Sequence, residues 1–590
     1  MEQAQLQQAM LEHFSGRVVR KDLTQLVKGN AIVPTYVLEY LLGQYCATED
    51  EETIREGVER VRDILGRHFV HRDEAQAIMS KVREQGTHRI IDKIRVSLND
   101  KTDQYVASFA NLGLSGVAMD DGFIKHHPKL LGGGVWCIIT LGYLFSEETR
   151  ASPWFIETLK PIQIANIDVD GYKEVRRHFD REAWMDLLLH SIGLQPEAFS
   201  LRDKMLQMLR LVPFVENNYN LIELGPKGTG KSHVYSEMSP HAMLISGGEV
   251  TKAKLFVNNS TGDLGLVGYW DVVAYDEFAG RQKRVDRALV DIMKNYMANK
   301  NFSRGQNVYG ASASMVFVGN TDHSVGYMLS QSDLFEALPR DYHNTAFLDR
   351  VHAYLPGWEV KKLRNEMFSA GFGFIVDYMA EVFRMLRRED YNYAYEQYFV
   401  LSDTITTRDK NAISKTFSGL IKVLHPDGQF SEEEARELLC ISIECRRRVK
   451  DELCKLDETF EPVDFQFQRI SNGVWEEVET PEALAHARHI EASREALDFD
   501  SPSMPGINSE LPVASALQSK HFEVEEGEQG ISFSRLFGLH LRGVRRMTLI
   551  EPHLDEPHQI RNLMELLATV VHVSDAKGEE VSFHVVTRAG

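Results

Sequence analysis

Two short stretches carry residue types whose spacing can handle a phosphate chain. The first, GPKGTGKSH, runs through Gly225, Pro226, Lys227, Gly228, Thr229, Gly230, Lys231, Ser232 and His233, directly behind the apolar run Tyr219–Leu224. Glycines let backbone N–H groups crowd round an anion at the start of a helix, where the helix dipole favours negative charge. Lys231 can then reach the β- and γ-phosphates of a nucleotide, and the Ser232 hydroxyl can ligate Mg2+. The second stretch, WDVVAYDEF, is an apolar run that stops at Asp276 and Glu277. Strands buried on both faces of a parallel sheet read as unbroken apolar runs, and their carboxyl ends carry the ligand. Asp276 is placed to hold the Mg2+ shell and Glu277 to polarise an attacking water. ATP and Mg2+ are therefore the expected cofactors.

Two further residues extend this chemistry. SMVFVGN ends in Asn320, an amide able to position the lytic water; a turn-forming Asn is the alternative. AFLDRVHAYLPG presents Arg350, whose guanidinium can stabilise the transferring phosphoryl group when a neighbouring subunit offers it. A surface salt bridge is the alternative there. Strand–loop, Asp-Glu, Asn and Arg in this order form an AAA+ layout. An Arg useful only across a subunit edge calls for a ring, with six copies the first expectation.

The elements that must position these groups follow from pattern. Residues of about 200–375 alternate strand and helix signals, which implies a parallel sheet with helices on its faces and sets the bounds of the ATPase core. Residues 376–456 read as a helical lid. Residues 1–85 read as helical: Ile54, Val58, Val61 and Leu65 share one helical face, and Pro34 suits a helix start. From 86 to 199 shorter apolar runs such as VWCIITLGYLF suggest a β-rich collar, with an OB-like barrel as one form, closed by the amphipathic helix REAWMDLLLHSIGL. Residues 457–530, with Pro502, Pro505, Pro512 and the acidic EVEEGEQG, read as connector and linker, and 531–590 as a small α/β unit. The fold class expected is α/β multidomain.

Bulk properties bound the function. A chain of 590 residues exceeds one core, and 43% hydrophobic with 26% charged residues at a mean hydropathy of −0.29 fits a soluble globular protein. The N-terminus lacks a signal-peptide layout, and no run of about 18 apolar residues predicts a membrane span. Five cysteines without a CxxC pair point to reduced thiols in the cytoplasm rather than a zinc site. The net charge of −20 argues against a uniformly basic coat but leaves room for a basic channel. One local inversion exists: Arg281, Lys283, Arg284, Arg287, Lys294, Lys300 and Arg304 face only Asp286 and Asp291. A solvated helix face has the same composition, so nucleic-acid contact and plain solvation both remain open.

PFVENNYNLIELGPKGTGKSHVYSEMSPHAMLISGGEVTKAKLFVNN, GLVGYWDVVAYDEFAG and RDKNAISKTFSGLIKVLHPDG together closely resemble the BrxL family, the Lon-related AAA+ proteins of bacterial BREX phage-defence systems. The resemblance runs from about residue 15 to 455. More distantly the chain resembles MCM replicative helicases, in which a hairpin before the Asn-bearing strand points a basic residue into a central channel. That resemblance implies Lys300, Arg304 and Gln306 near a hairpin tip as DNA contacts, Arg350 as the trans-acting Arg, and Arg436 as the lid Arg reaching the phosphates. IEPHLDEPHQIRNLMELL resembles the phospholipase-D-like C-terminal domain of MIT proteins, although His584 is followed by Val585 and Val586, so the HxK pattern is missing. What this implies is an ATP-driven ring that binds, and as one option translocates on, double-stranded DNA in anti-phage defence. A homohexamer, two rings stacked by their collars as a dodecamer, and other defence-system proteins are the implied partners, with no membrane. The alternative is a Lon-like ATP-dependent protein unfoldase or protease; no convincing Ser–Lys dyad follows the lid, which argues against protease activity.

Overall fold

A computed structural model describes residues 3–28, 33–48, 50–99, 103–131, 134–145, 152–162, 167–246, 250–257, 264–279, 286–304, 307–488, 546–550, 563–570 and 582–586. They fall into two units, one of residues 1–325 and 333–484, the other of residues 326–332 and 485–590.

At the centre of the first unit lies a five-stranded parallel sheet. Its strands are, in chain order, β1 (Asn220–Gly225), β2 (Ala242–Ile245), β3 (Val272–Tyr275), β4 (Ser314–Asn320) and β5 (Ala353–Pro356), arranged β5-β1-β4-β3-β2. Val272, Val273, Ala274, Val316, Phe317 and Val318 are all fully buried, which is why these strands read as continuous apolar runs. Because β1, β3 and β4 are parallel and central, their carboxyl ends open at one edge of the sheet, and each delivers a residue of the phosphate chemistry there.

The N-terminal helices Gln3–His13, Leu23–Lys28, Thr35–Tyr45 and Glu51–His68 pack with this core, while Ala75–Gln85 packs on the barrel described below. Helix Glu51–His68 buries Ile54, Val58, Val61 and Leu65 on one face and is capped by Asp50, whose carboxylate accepts the Thr53 N–H at 2.9 Å. The helical expectation for 1–85 needs one amendment. Val18–Arg20 is a short strand, paired antiparallel with Phe372–Phe374 far along the chain. A partner that distant leaves no local signal in a three-residue β-branched run.

Residues Thr87–Asn99, Gln104–Phe109, Val117–Ala118, Val135–Tyr143 and Trp154–Pro161 close into a five-stranded barrel around Ile90, Ile94, Ala107, Cys137, Ile139 and Leu141. Helices Arg181–Ser191 and Leu201–Val215 lead into β1; the second starts with a reciprocal Ser200–Asp203 capping box. Asp168 caps helix Val169–Arg176 by accepting the Gly171 N–H at 2.8 Å.

Beyond the sheet stand helices Val376–Leu386, Thr407–Leu424 and Glu432–Leu456. The stretch read as a connector from 457 onward is partly built structure: Gln466–Arg469 and Trp475–Glu477 join Phe399–Leu401 in a three-stranded antiparallel sheet. Its Phe465 and Phe467 are fully buried, an anchorage that linker-like composition around them conceals. Pro502, Pro505, Pro512 and the acidic stretch lie outside the described residues. In the second unit, strands Arg546–Ile550 and Ser582–Val586 pair in parallel, residues 563–570 are helical, and Thr548 stands opposite His584. Among the described residues, no helix is long and apolar enough to cross a membrane.

Candidate nucleotide site

The loop after β1 turns through Gly228 (φ +83°) and Gly230 (φ +76°), left-handed positions that glycine occupies without strain, and then enters helix Lys231–Glu237. A Cβ on Gly225 would lie 2.3 Å from the Gly357 carbonyl carbon, so the strand end and the segment after β5 can approach only as two glycines. Lys231 is 7% exposed and folds back on the loop, donating to the carbonyls of Gly225 at 3.1 Å and Pro226 at 2.7 Å. Burial pushes its ammonium below the ordinary lysine range, a cost that an arriving anion relieves.

The Ser232 hydroxyl donates to Asp276 Oδ1 at 2.8 Å, bringing together two hard oxygen donors. Glu277 follows in the left-handed region at φ +52°, with its N–H donated to Asp276 Oδ1 at 2.9 Å. A non-glycine residue in that conformation is held there by its surroundings, and such strain gathers at functional sites. Asn320, the last residue of β4, stands in register with Gly225 of β1. Lys227 through His233 line one cavity of about 300 Å3 together with Asp276, Glu277 and Asn320. Backbone amides, a lysine, a serine–aspartate pair and a glutamate around a space of this size suit the phosphates of a nucleotide; Ser232 and Asp276 suit a Mg2+ ion that the phosphates help to ligate.

Beneath the loop lies a support the sequence reading missed. Arg210, 1% exposed, forms a bidentate pair with the fully buried Glu223 of β1 and donates to the Thr229 carbonyl at 3.0 Å. The two residues lie in different apolar-looking elements, so no local pattern announces them.

Arg350 lies elsewhere. It precedes the edge strand β5, and its carbonyl accepts from Asn220 Nδ2 at 3.0 Å, at the N-terminal end of β1. Six residues of strand put that end roughly 17 Å from the phosphate loop. Arg350 lines a second cavity, of about 240 Å3, with Lys300, Arg408, Lys415 and Arg446, against the single carboxylate Asp349. Its Nε is buried without a hydrogen-bond partner, and burial followed by repulsion from Arg408 lowers its pKa. Burial also brings the Lys415 ammonium down to about 8.

Arg446 holds this segment in place. It pairs with Asp409 at 2.7 Å and Asp349 at 2.8 Å, and donates to the carbonyls of Asp349 and Val351 on either side of Arg350. Arg436, the lid arginine suggested by resemblance, is ten residues earlier in the same helix and about 15 Å away along it. It is not brought to the phosphate cavity; it pairs instead with Glu476. Arg408, from the opening of RDKNAISKTFSGL, reaches the Arg350 cavity and is salt-bridged to Asp349.

The hairpin before β4 is present as Asn301–Arg304 paired with Asn307–Gly310. Lys300 is not near its tip. It is the left-handed C-cap of helix Arg287–Asn299 at the hairpin base, where its carbonyl accepts from the Ala311 N–H. Arg304 closes the turn opposite Asn307, while Gln306 lies outside the described residues, as do Arg281, Lys283 and Arg284.

Sheet and phosphate cavity together define a P-loop ATPase domain. Residues 154–466 match the family model described as Lon-like protease BrxL-like, ATPase domain, and residues 12–143 match BREX system Lon protease-like protein BrxL N-terminal. The chain is 47% identical over 473 residues to the Lon-like protease BrxL of Escherichia coli O9:H4 (strain HS), covering 80% of this chain and 68% of that protein. It is 49% identical over 462 residues to the Lon-like protease BrxL of Bacillus cereus (strain H3081.97), covering 78% and 68%. Residues 530–589 match a phospholipase D-like domain at C-terminus of MIT. The chain belongs to the BrxL family.

Proposed function

We propose that this chain is one subunit of an AAA+ ring, a homohexamer able to stack as a dodecamer, that hydrolyses ATP and binds double-stranded DNA in BREX-type phage defence in the cytoplasm. The observation that carries the ring is the placement of the phosphate cavity and the Arg350 cavity at opposite ends of β1. Neither end can serve the other within one chain, but two copies set edge to edge would present Arg350, with Arg408 beside it, to a neighbour's γ-phosphate. In this reading, Lys231 and the loop amides hold the phosphates, Ser232 and Asp276 hold Mg2+, Glu277 takes up the proton of the attacking water, and Asn320 orients it. Bound Mg2+ supplies charge neutralisation to the phosphate oxygens. Residues 376–456 serve as the lid, and the closed barrel serves as an OB-like collar.

Support for DNA comes from the hairpin that ends at Arg304 and from the BREX name carried by the matching N-terminal family model. Purified protein should bind a duplex at low salt and hydrolyse ATP at a DNA-dependent rate; neither effect appearing would refute the reading. The second reading, a protein unfoldase or protease, is favoured by the names of the two relatives. ATP-dependent degradation of casein would establish it over the first. A third, a scaffold that only uses nucleotide to assemble, requires that Glu277→Gln retain phage defence.

A further inference from the structure

A third cavity, of about 400 Å3, opens between the barrel and the central sheet. Lys93 and Arg95 come to it from the long barrel strand, and Lys254, Tyr269 and Trp270 from the segment that joins β2 to β3. Apolar surface from Met243, Leu264 and Leu266 completes the walls. Lys93 lies over the indole of Trp270, its ammonium 5.8 Å from the ring centroid. Arg95 and Lys254 are exposed, and Tyr269 is 43% exposed. Among the described residues no carboxylate pairs with any of the three cations, although acidic residues outnumber basic ones 86 to 66 in the whole chain.

Such a lining suits one kind of ligand. Three cations without a paired carboxylate among the described residues attract an anion, and burial lowers the Lys93 pKa, so an anion also offsets a desolvation cost already present. The exposed Tyr269 ring and the half-buried Trp270 indole beside the cations favour a flat, apolar body attached to that anion. A bare inorganic ion leaves Tyr269, Trp270 and Leu266 unused, while a lipid tail leaves the cluster of three cations oversupplied. A paired base cannot turn its face to a side chain, so the flat body must be an unpaired base.

We propose that this cleft binds a nucleotide unit of single-stranded nucleic acid, its backbone phosphates held by Lys93, Arg95 and Lys254 and its base stacked on Tyr269 and Trp270. The same chemistry is offered by a free mononucleotide, and the inference rests on the nucleic-acid reading only for the strand as its source. The site joins a barrel strand to the segment between β2 and β3, so occupancy ties the barrel to the sheet whose strand ends carry the nucleotide chemistry.

The test uses the full chain and three probes: fluorescein-labelled dT20, a 20-base-pair duplex, and 5-iodouridine monophosphate. Arg95→Glu/Lys254→Glu changes two exposed side chains outside the ATPase cavity and should leave basal ATP turnover unchanged. It should weaken dT20 binding about 30-fold or more and flatten the salt dependence by roughly 1.4 logarithmic units per decade, the loss of two phosphate contacts. Tyr269→Ala should weaken dT20 about tenfold and the duplex less than twofold. Photocross-linking of 5-iodouracil-substituted dT20 should place the adduct on Tyr269 or Trp270. If wild-type chain binds dT20 and the double variant binds it within twofold, the cleft assignment is overturned while DNA binding stands. If wild type binds neither strand nor duplex, the ring's DNA reading fails. A monophosphate adduct at Tyr269 or Trp270 would then assign the cleft to free nucleotide, and no adduct would overturn it outright.

Discussion

At the C-terminal end of β1 the cavity is lined by loop amides, two lysines and two carboxylates, and its main polar groups sit in a single turn and two strand ends. At the N-terminal end the lining is five cations against one carboxylate, drawn from a hairpin base, the approach to β5 and helices Thr407–Leu424 and Glu432–Leu456. The first arrangement prepares a place for phosphate and metal charge. The second pairs Arg446 and Arg408 with carboxylates but leaves Lys300, Arg350 and Lys415 without one among the described residues. One strand separates them, and Asn220 at its start bonds the Arg350 carbonyl while Gly225 at its end accepts from Lys231. Incomplete halves so connected make sense when the missing half belongs to another copy.

That comparison can be broken at several depths. Lys231→Ala should abolish nucleotide binding and turnover, while Glu277→Gln should keep ATP bound and lower hydrolysis at least about a hundredfold; equal loss of binding in both, by fluorescent-nucleotide titration, would dissolve their separate roles. Arg350→Ala should lower turnover by about 10³-fold with nucleotide affinity changed less than threefold. Mixing Arg350→Ala chains with Lys231→Ala chains should restore part of the rate, because mixed edges then contain one intact site. No restoration in the mixture, with both variants assembling normally, would remove the trans assignment.

Arg446→Ala leaves Asp349 and Asp409 without their buried partner and should cost about 3–5 kcal/mol of stability by denaturant unfolding. Acid should reproduce part of this loss. Burial pushes the Asp349 carboxyl up, but Arg446 and Arg408 outweigh it and hold it below the ordinary range. A carboxyl depressed in the folded state contributes stability above its unfolded value of about 3.9 and loses it as pH falls through the folded value. The melting temperature of wild type should therefore drop below about pH 4 more steeply than that of Asp349→Asn. The smallest effects separate Arg408 from Arg436. Arg408→Ala should reduce turnover about tenfold, whereas Arg436→Ala, which loses only a part-exposed pair with Glu476, should stay within twofold.

Legibility in the sequence followed the range of the interactions. The phosphate loop, the Asp-Glu strand end and the Asn320 strand end were readable because consecutive residues build each one, and parallel burial leaves unbroken apolar runs such as VVAY. The one-face spacing of Ile54, Val58, Val61 and Leu65 was readable for the same reason. Resemblance singles out Arg436, and only the packing of its arginine-rich helix shows that Arg446, ten residues on, is the one held against the approach to β5. Arg210 and Glu223 were invisible because each looks like an isolated charge until the fold joins them. Lys300 was misplaced by the assumption that a basic residue near a hairpin belongs to its tip; the left-handed cap after Asn299 instead ends the helix there and turns Lys300 into the hairpin base.

The pairing of Val18–Arg20 with Phe372–Phe374 also has a bearing on how the chain is made. Lys21 completes the same contact, donating to Glu39 at 2.8 Å and to the Phe374 carbonyl at 2.6 Å, while Glu39 accepts the Val376 N–H at 2.8 Å. At a synthesis rate of roughly 5–20 residues per second, the N-terminal helices leave the ribosome on the order of 20–70 s before their strand partner does. Throughout that interval the β-branched edge at Val18–Val19 lacks its strand partner, and Lys21 and Glu39, which can already pair with each other, lack the Phe374 carbonyl and the Val376 N–H. The helical segment is thus completed last although it is translated first, and the barrel and sheet mature as an insertion between its two halves.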